Sequence, residues 1–428
     1  MEISVIHNLF LKCDSISIDT RNIVPNSMFV AIKGDHFDAN TFAAQALEKG
    51  ALYVIIDNES NYIDSRTIVV NNSLETLQEL AKFHRKYLNI PIVALTGSNG
   101  KTTTKELIQV VLSKKFNTKA TKGNLNNHIG VPLTLLSFTS ETEIGIVEMG
   151  ANHQKEIEFL CELAMPNFGY ITNFGKAHLE GFGGVEGVIK GKSEMYQYLE
   201  KSNGIAFINL QDSIQVEKTK NIKTYSFGNT TTQADVVIES INANPFVEIF
   251  HRNTVIKSQL IGLYNANNLI AALAMGVYFD ISEVLIKEAL ENYSPSNNRS
   301  QLINKGSNQI ILDAYNANPS SMSVALQNFA QLSGSNKVMI LGDMFELGNE
   351  SFEEHRLIVH SSLIDSAIKC YFVGKAFFEN KIDKENFVFC STYDEFEKTF
   401  QKLPAPVGSL ILIKGSRGMA LERCLDLL

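Results

Sequence analysis

Short apolar runs separated by amphipathic stretches recur along the whole chain. Between Met1 and about Tyr87, MFVAIKG, ALYVIID and TIVV have the length and content of strands, and TFAAQALEKG spaces its apolar positions as a helix does. Asn89 to Pro91 interrupt the pattern. From Ile92 the runs IVALTG, IGIVEMG, GYITNFG and IAFINL are almost continuously apolar, as a parallel sheet buried on both faces demands. Thr230 to Ser240, TTTQADVVIES, is polar and predicts the start of a peripheral hairpin rather than a core strand. SPSNNR, Ser294 to Arg299, reads as a linker. Beyond it QIILDAY, VMILGDM, CYFVGK, FVFC and LILIKG alternate with helical segments such as SSMSVALQNFAQL and SFEEHRLIVHSSLI. Three α/β domains are expected: a small one over 1–88, a central parallel-sheet domain over 89–298 and a further one over 299–428.

A length of 428 residues with 44% apolar content suits that division. The formal net charge of -8 argues against a nucleic-acid surface, which needs clustered cations to displace counterions, so any bound phosphate must be held locally. Cys13, Cys161, Cys370, Cys390 and Cys424 are scattered, without a C-x-x-C pair or a histidine at metal-ligand spacing, which fits a reducing compartment. The opening MEISVIHNLFLKC carries no basic leader, and no apolar run approaches bilayer length. The expectation is a cytoplasmic monomer with no membrane span.

The strongest local signal is TGSNGKTTTKE, Thr96 to Glu106, between the apolar run PIVAL and the helical pattern LIQVVLSKK. A triphosphate site needs backbone N–H groups at a helix N-terminus, a lysine for the β/γ-phosphates and a hydroxyl for Mg2+. Gly97, Ser98, Asn99 and Gly100 supply the loop, Lys101 the cation and Thr102 the hydroxyl, with Thr103 beside it. A plain strand-to-helix turn that contains G-K-T by chance is the bland alternative. The loop is also short: a standard one reads G-x-x-x-x-G-K-[ST], and here Leu95 stands where the first glycine belongs.

Downstream, GNLNNHIGVPLTLL (Gly123 to Leu136), IVEMGANHQKEI (Ile146 to Ile157), ITNFGKAHLEGFGG (Ile171 to Gly184) and GKSEMYQYL (Gly191 to Leu199) put polar residues at or just after predicted strand ends, where parallel sheets bind ligands. Glu148 and His178 suit a divalent cation at the loop, although alone each reads equally well as a solvated carboxylate and a structural histidine. With the shortened G-x-x-G-K-T loop, these segments resemble the central domain of the Mur ligases; the loop also resembles that of folylpolyglutamate synthases. E-M-G-A-N-H, and later D-A-Y-N-A-N-P-S-S-M (Asp313 to Met322), are similar to the branch that adds D-alanyl-D-alanine to UDP-N-acetylmuramoyl-tripeptide. The resemblance spans nearly the whole chain, in at least six motifs. It implies a P-loop ATPase domain in the centre and a Rossmann-like C-terminal domain. It implies that ATP, the co-substrate, activates the tripeptide carboxylate as an acyl phosphate, which the dipeptide amine attacks. Lys101 and the loop amides would hold ATP, Thr102 and Glu148 would bind Mg2+, and His178 with a carbamylated lysine would bind a second Mg2+. Lys192 of KSEMY fits the family's K-x-x-[IMVL]-[FY] pattern; Lys190 competes, and exposure is the usual fate of a helical lysine.

IGLYNANNLIAALAM, Ile261 to Met275, reads as a loop entering a helix, with Asn265 and Asn268 either capping it or turning an amide to a base edge. The family's H-N-x-x-N pattern favours Asn268 for adenine; Tyr264 stands where His is usual, so no role carries over to it. By resemblance Arg299, Asp313 and Asn316 bind ATP, with Asp313 suited to ribose hydroxyls. Asn318-Pro319-Ser320-Ser321 also reads as an ordinary helix start. LILIKGSRGMALE, Leu410 to Glu422, reads as a second strand-loop-helix in which Lys414, Ser416 and Arg417 suit a carboxylate or a polarised phosphate, a solvated turn being the bland alternative. Asp343 and Glu346 of LGDMFELG could accept an ammonium; the expectation is that the two loops meet the incoming dipeptide, which carries one of each charge. Ser17, Asp19, Thr20 and Arg21, with the loop Lys33 to Asn40, are what the resemblance assigns to the UDP moiety. Lys155 occupies a position where the family commonly has Gly.

The nearest rival within the family adds lysine or meso-diaminopimelate to the UDP-muramoyl-dipeptide, but its D-N-P-R-like motif is not found here. A rival of another class is a nucleotide-gated binding protein that uses the loop as a switch. The carboxylate, histidine and lysine expected around one loop argue against it.

Overall fold

The three short apolar runs of the first domain become strands Ser27–Val30, Tyr53–Ile56 and Thr67–Val69 of a small parallel sheet, which Ser15–Ser17 joins at the edge, so that four strands are hydrogen-bonded in chain order. The computed structural model describes every residue except Asp35, Ser296, Asn297 and Ser335, so those positions of the Lys33 to Asn40 loop and of the SPSNNR linker lie outside the described residues. Helix Ser73–Leu88 starts where the Asn72 side chain accepts from the Leu74 and Glu75 N–H groups. It fastens the small sheet to the rest of the chain: His84 meets His7 and the Phe138 carbonyl, each at 3.0 Å, and Arg85 Nε donates to the Ala164 carbonyl at 2.9 Å.

The central sheet has seven parallel strands in the spatial order Val236–Ile238, Lys223–Asn229, Ile205–Asn209, Phe168–Ile171, Ile92–Thr96, Ile144–Glu148 and Thr118–Ala120. From Ile92–Thr96 the chain goes to the edge strand Thr118–Ala120, returns to Ile144–Glu148 beside the start, and then crosses to build outward on the other side, so the topological switch falls where TGSNGKTTTKE begins. Val236–Ile238 departs from the expected hairpin. Val236 and Ile238 are buried, and the segment pairs in parallel with Lys223–Asn229 as an edge strand. Three residues in a polar setting are too few to show a strand pattern. The peripheral antiparallel sheet is built from Ser240–Ala243, Phe246–His251 and Thr254–Ile261.

The last sheet orders its six strands Gln301–Lys305, Asn308–Asp313, Leu410–Lys414, Lys337–Gly342, Lys369–Val373 and Phe387–Cys390, antiparallel only in the first pair. Leu410–Lys414 is buried throughout and sets Lys414 opposite Asp313. The helix expected after it does not form. Arg417–Met419 and Leu421–Leu427 are 3-10 turns broken at Ala420, whose φ of 48° lies in the left-handed region. Among the described residues no helix is long and apolar enough to cross a membrane.

Candidate active site

The strand ends at the central switch point line a cavity of about 770 Å3. Gly97 (φ 144°) and Gly100 (φ 80°) turn the backbone from strand Ile92–Thr96 into helix Lys101–Leu112. A Cβ at Gly97 would fall 1.9 Å from Thr172 Oγ1, so the loop closes only with glycine there. Neighbouring segments brace it: Ser98 Oγ donates to the Gly175 carbonyl at 2.6 Å, and Thr172 Oγ1 donates to the Asn99 carbonyl at 2.6 Å. Lys101 Nζ folds back on the Gly97 carbonyl at 2.8 Å, while Thr103 is buried behind it.

Thr102 Oγ1 donates to Glu148 Oε2 at 2.9 Å, and Asn126 Nδ2 donates to Oε1 at 2.8 Å. Glu148 is 1% exposed. Among the described residues no three His, Cys, Asp or Glu side chains form a metal-binding group. A hydroxyl beside one carboxylate instead fits Mg2+, which takes most of its shell from water and substrate phosphates.

Lys192 and Lys190 part company. Lys190 is exposed, whereas Lys192 is 1% exposed, with its ammonium 5.3 Å from the centre of the Phe182 ring. Burial, and secondarily Lys101, pushes the Lys192 ammonium well below the ordinary lysine range. His178, held at φ 53°, pairs through Nδ1 with Glu346 of the last domain.

Several expected ligands already have protein partners. Asn268 Oδ1 accepts from Thr104 Oγ1 at 3.0 Å and its Nδ2 donates to Asn265 at 2.9 Å, and neither asparagine side chain caps the helix. Asp313 Oδ2 pairs with Lys414 at 2.5 Å and its Oδ1 accepts from the Ser300 N–H at 3.2 Å. Lys414, 2% exposed, is therefore drawn to the larger cavity and away from Ser416 and Arg417, with which the sequence predicts it to form an anion trap. Asn316 Oδ1 accepts from the Ala317 N–H at 2.9 Å. Arg299 stacks on the Tyr315 ring at 3.7 Å, with Arg417 6.0 Å from the same ring. Asp343 does not face an ammonium: its oxygens accept from the Ala376 and Phe377 N–H groups at 3.0 Å and tie down helix Lys375–Glu379. In the first domain Asp19 grips Arg21 in a fork, with contacts as short as 2.8 Å, and hydrogen bonds from Arg21 hold the carboxyl down to about 2. Ser17 Oγ donates to the Asp19 carbonyl, and Thr20 opens the following turn.

A second, smaller cavity of about 190 Å3 is lined by His178, Asn316, Asn318, Glu346, Ser416 and Arg417 among others. His178, Asn316 and Asn318 line both cavities. Asn318 caps helix Pro319–Gln331 as expected, and its Nδ2 also donates to Asn99 Oδ1 at 2.7 Å, joining the last domain to the phosphate loop. Sequence reasoning assigned nothing to Asn126, Thr104, Tyr315 or Tyr264. Asn126 was signalled only by the asparagine run GNLNNH; Tyr264, in place of the usual His, bonds through its hydroxyl to Ser300 Oγ at 2.8 Å.

Family models match three segments: "Mur ligase family, catalytic domain" over residues 12–93, "Mur ligase middle domain" over 95–276 and "Mur ligase, glutamate ligase domain" over 298–417. The UDP-N-acetylmuramoyl-tripeptide D-alanyl-D-alanine ligase of Bacillus subtilis is 35% identical over 417 residues, 95% of this chain and 91% of the relative. That of Escherichia coli is 36% identical over 374 residues, 85% and 82% of the two chains. A crystal structure of MurF from Acinetobacter baumannii superimposes with a TM-score of 0.87 at 30% identity, covering 100% of this chain and 98% of the other. MurF from Thermotoga maritima in complex with ADP gives 0.84 at 26% identity, covering 98% and 97%.

Proposed function

The chain belongs to the Mur ligase family, and from that premise we infer an ATP-dependent ligase that joins D-alanyl-D-alanine to UDP-N-acetylmuramoyl-tripeptide in peptidoglycan precursor synthesis. One observation carries the chemistry: the two cavities share His178, Asn316 and Asn318, so a carboxylate activated in the larger one lies within reach of an amine held in the smaller. A terminal carboxylate oxygen of the tripeptide attacks the γ-phosphorus of ATP, and the bond to the bridging oxygen breaks to release ADP. The dipeptide amine then attacks the acyl carbon, the bond to the phosphate oxygen breaks, and the nitrogen gives up a proton. Lys101 exchanges its weak carbonyl partner for phosphate oxygens, and the loop amides at the helix N-terminus take developing charge. Holding both reactants in line supplies much of the remaining rate.

Thr102 and Glu148 would hold Mg2+, which neutralises phosphate oxygens when bound. Lys192, buried and short of charge, is an amine able to add CO2; the carbamate would present a carboxylate to a second Mg2+ together with His178, once His178 has left Glu346. Arg299, Asp313, Asn316 and Asn268 surround the nucleotide. In the smaller cavity Ser416 and Arg417 receive the dipeptide carboxylate and Glu346 its amine, while Lys414 acts through Asp313. Ser17, Asp19, Thr20 and Arg21 serve the UDP moiety. The work divides as 1–88 for the UDP end, 89–298 for ATP and 299–428 for the dipeptide, in a cytoplasmic monomer where ATP and the UDP precursor are both at hand.

Phosphate release with ATP, UDP-N-acetylmuramoyl-tripeptide and a panel of amines tests the reading. D-alanyl-D-alanine is expected to be the amine that turns over. Turnover of lysine or diaminopimelate on the dipeptide precursor, with none of D-alanyl-D-alanine on the tripeptide, would refute it.

A further inference from the structure

One turn beyond Lys101 on the same helix, Lys105 is 2% exposed and has no part in the ligation chemistry described above. Its Nζ lies 3.9 Å from Glu148 Oε2 and 3.9 Å from Glu106 Oε1. Glu106 is fixed in turn by Tyr293, whose hydroxyl donates to Oε2 at 2.7 Å at the point where helix Glu283–Asn292 gives way to the interdomain linker. Glu148 is fixed by Thr102 and Asn126. One buried cation is thus shared evenly between the candidate metal ligand and a carboxylate tied to the linker.

A lysine this deep is uncommon because its desolvation is costly. A divalent cation bound to Glu148 would sit about 2 Å from the carboxylate oxygen, with the Lys105 charge only a few ångströms further on. Like charges at such separations repel strongly where water is sparse.

We propose that Lys105 is a positioning residue that sets the divalent-metal affinity of Glu148, holding the carboxylate aimed at the phosphate loop before metal arrives and weakening the bound cation so that the metal-ADP product can leave. Glu106, held by Tyr293, determines how much of the lysine charge Glu148 feels. The proposal rests on the assignment of Glu148 as a metal ligand.

Titration of Mn2+ into the full-length protein saturated with ADP, with free Mn2+ followed by electron paramagnetic resonance, tests it. Lys105→Met is expected to bind Mn2+ about 5- to 20-fold more tightly, because a neighbouring like charge is gone. Glu106→Gln is expected to bind several-fold more weakly, since Lys105 then turns wholly to Glu148, and Lys105→Arg is expected to stay near wild type. A lysine that only filled space would not yield tighter metal on removal, so tighter binding with an unchanged or lowered melting temperature separates the two roles. Unchanged or weaker Mn2+ binding by folded Lys105→Met overturns the proposal. Should Lys105→Met fail to fold, Glu106→Gln decides, and unchanged or tighter binding there overturns it. Wild-type Mn2+ affinity in Glu148→Gln would instead overturn the ligand assignment and this proposal with it.

Discussion

Two segments with nearly the same grammar, LTGSNGKT and LIKGSRGM, follow buried central strands of two parallel sheets and use their cations in opposite ways. After Ile92–Thr96, left-handed glycines open a helix of 12 residues, and Lys101 rests on a backbone carbonyl that a phosphate can displace. After Leu410–Lys414 only a three-residue turn follows, and Lys414, still within its strand, is committed to Asp313 at 2.5 Å. Ser416 Oγ accepts from the Phe345 N–H at 3.0 Å, and Arg417 reaches Glu422 at 2.8 Å from an exposed position. A lysine beside glycines marks a phosphate site when a helix N-terminus follows and no carboxylate has claimed the cation. Without those conditions the same letters build a buried ion pair.

Four substitutions or conditions sharpen that contrast. Lys101→Met should lower ligation by roughly 10^3-fold, since the cation serves the transition state, while the melting temperature stays near wild type because its protein partners are carbonyls. Steady-state kinetics and a thermal melt read both. Lys192→Ala should lose about 10^2-fold or more, in part restored by short carboxylic acids, whereas Lys190→Ala should stay within about twofold; unrescued, near-normal activity in Lys192→Ala would remove the carbamate. Lys414→Met should behave as a stability variant first, costing about 2–4 kcal/mol by stranding Asp313, with part recovered in the double variant that also carries Asp313→Asn. Equal melting temperatures for wild type and Lys414→Met would show the pair to be dispensable.

The smallest effect lies far from both loops, where His7 and His84 are buried against each other as neutral rings. Burial, and secondarily His84, lowers His7 to about 4 from 6.5. The unfolded chain therefore binds more protons between those values, and stability falls as pH drops through that window, by about 1 kcal/mol near pH 5.5. A melting temperature flat from pH 7 to 5, or equally sloped in His7→Gln, would contradict this.

What the sequence disclosed was local. The phosphate loop, the strand-end Glu148 and the Asn318 helix cap each depend on residues a few positions apart, and spacing alone conveys them. What it hid were partners from distant segments: Lys414 with Asp313, Glu346 with His178, and Asn318 with Asn99, separated by 101, 168 and 219 positions. Burial sorted Lys192 from Lys190, which share one helix and differ only in the face they occupy. Lys155 shows the converse. It holds φ 74° where the family commonly has Gly, and its N–H donates to Glu194 Oε1 at 2.6 Å, so the backbone at that turn is kept by a buried carboxylate despite the side chain.

On this reading the first loop activates the carboxylate and the second region selects the amine. Hydroxylamine tests it most directly, because it captures an acyl phosphate as a hydroxamate without using the dipeptide cavity. With ATP and UDP-N-acetylmuramoyl-tripeptide, Arg417→Ala should form hydroxamate at close to the wild-type rate while its KM for D-alanyl-D-alanine rises about 10-fold or more, and Lys101→Met should form almost none. Loss of hydroxamate in Arg417→Ala to the same degree as in Lys101→Met would contradict the division of labour.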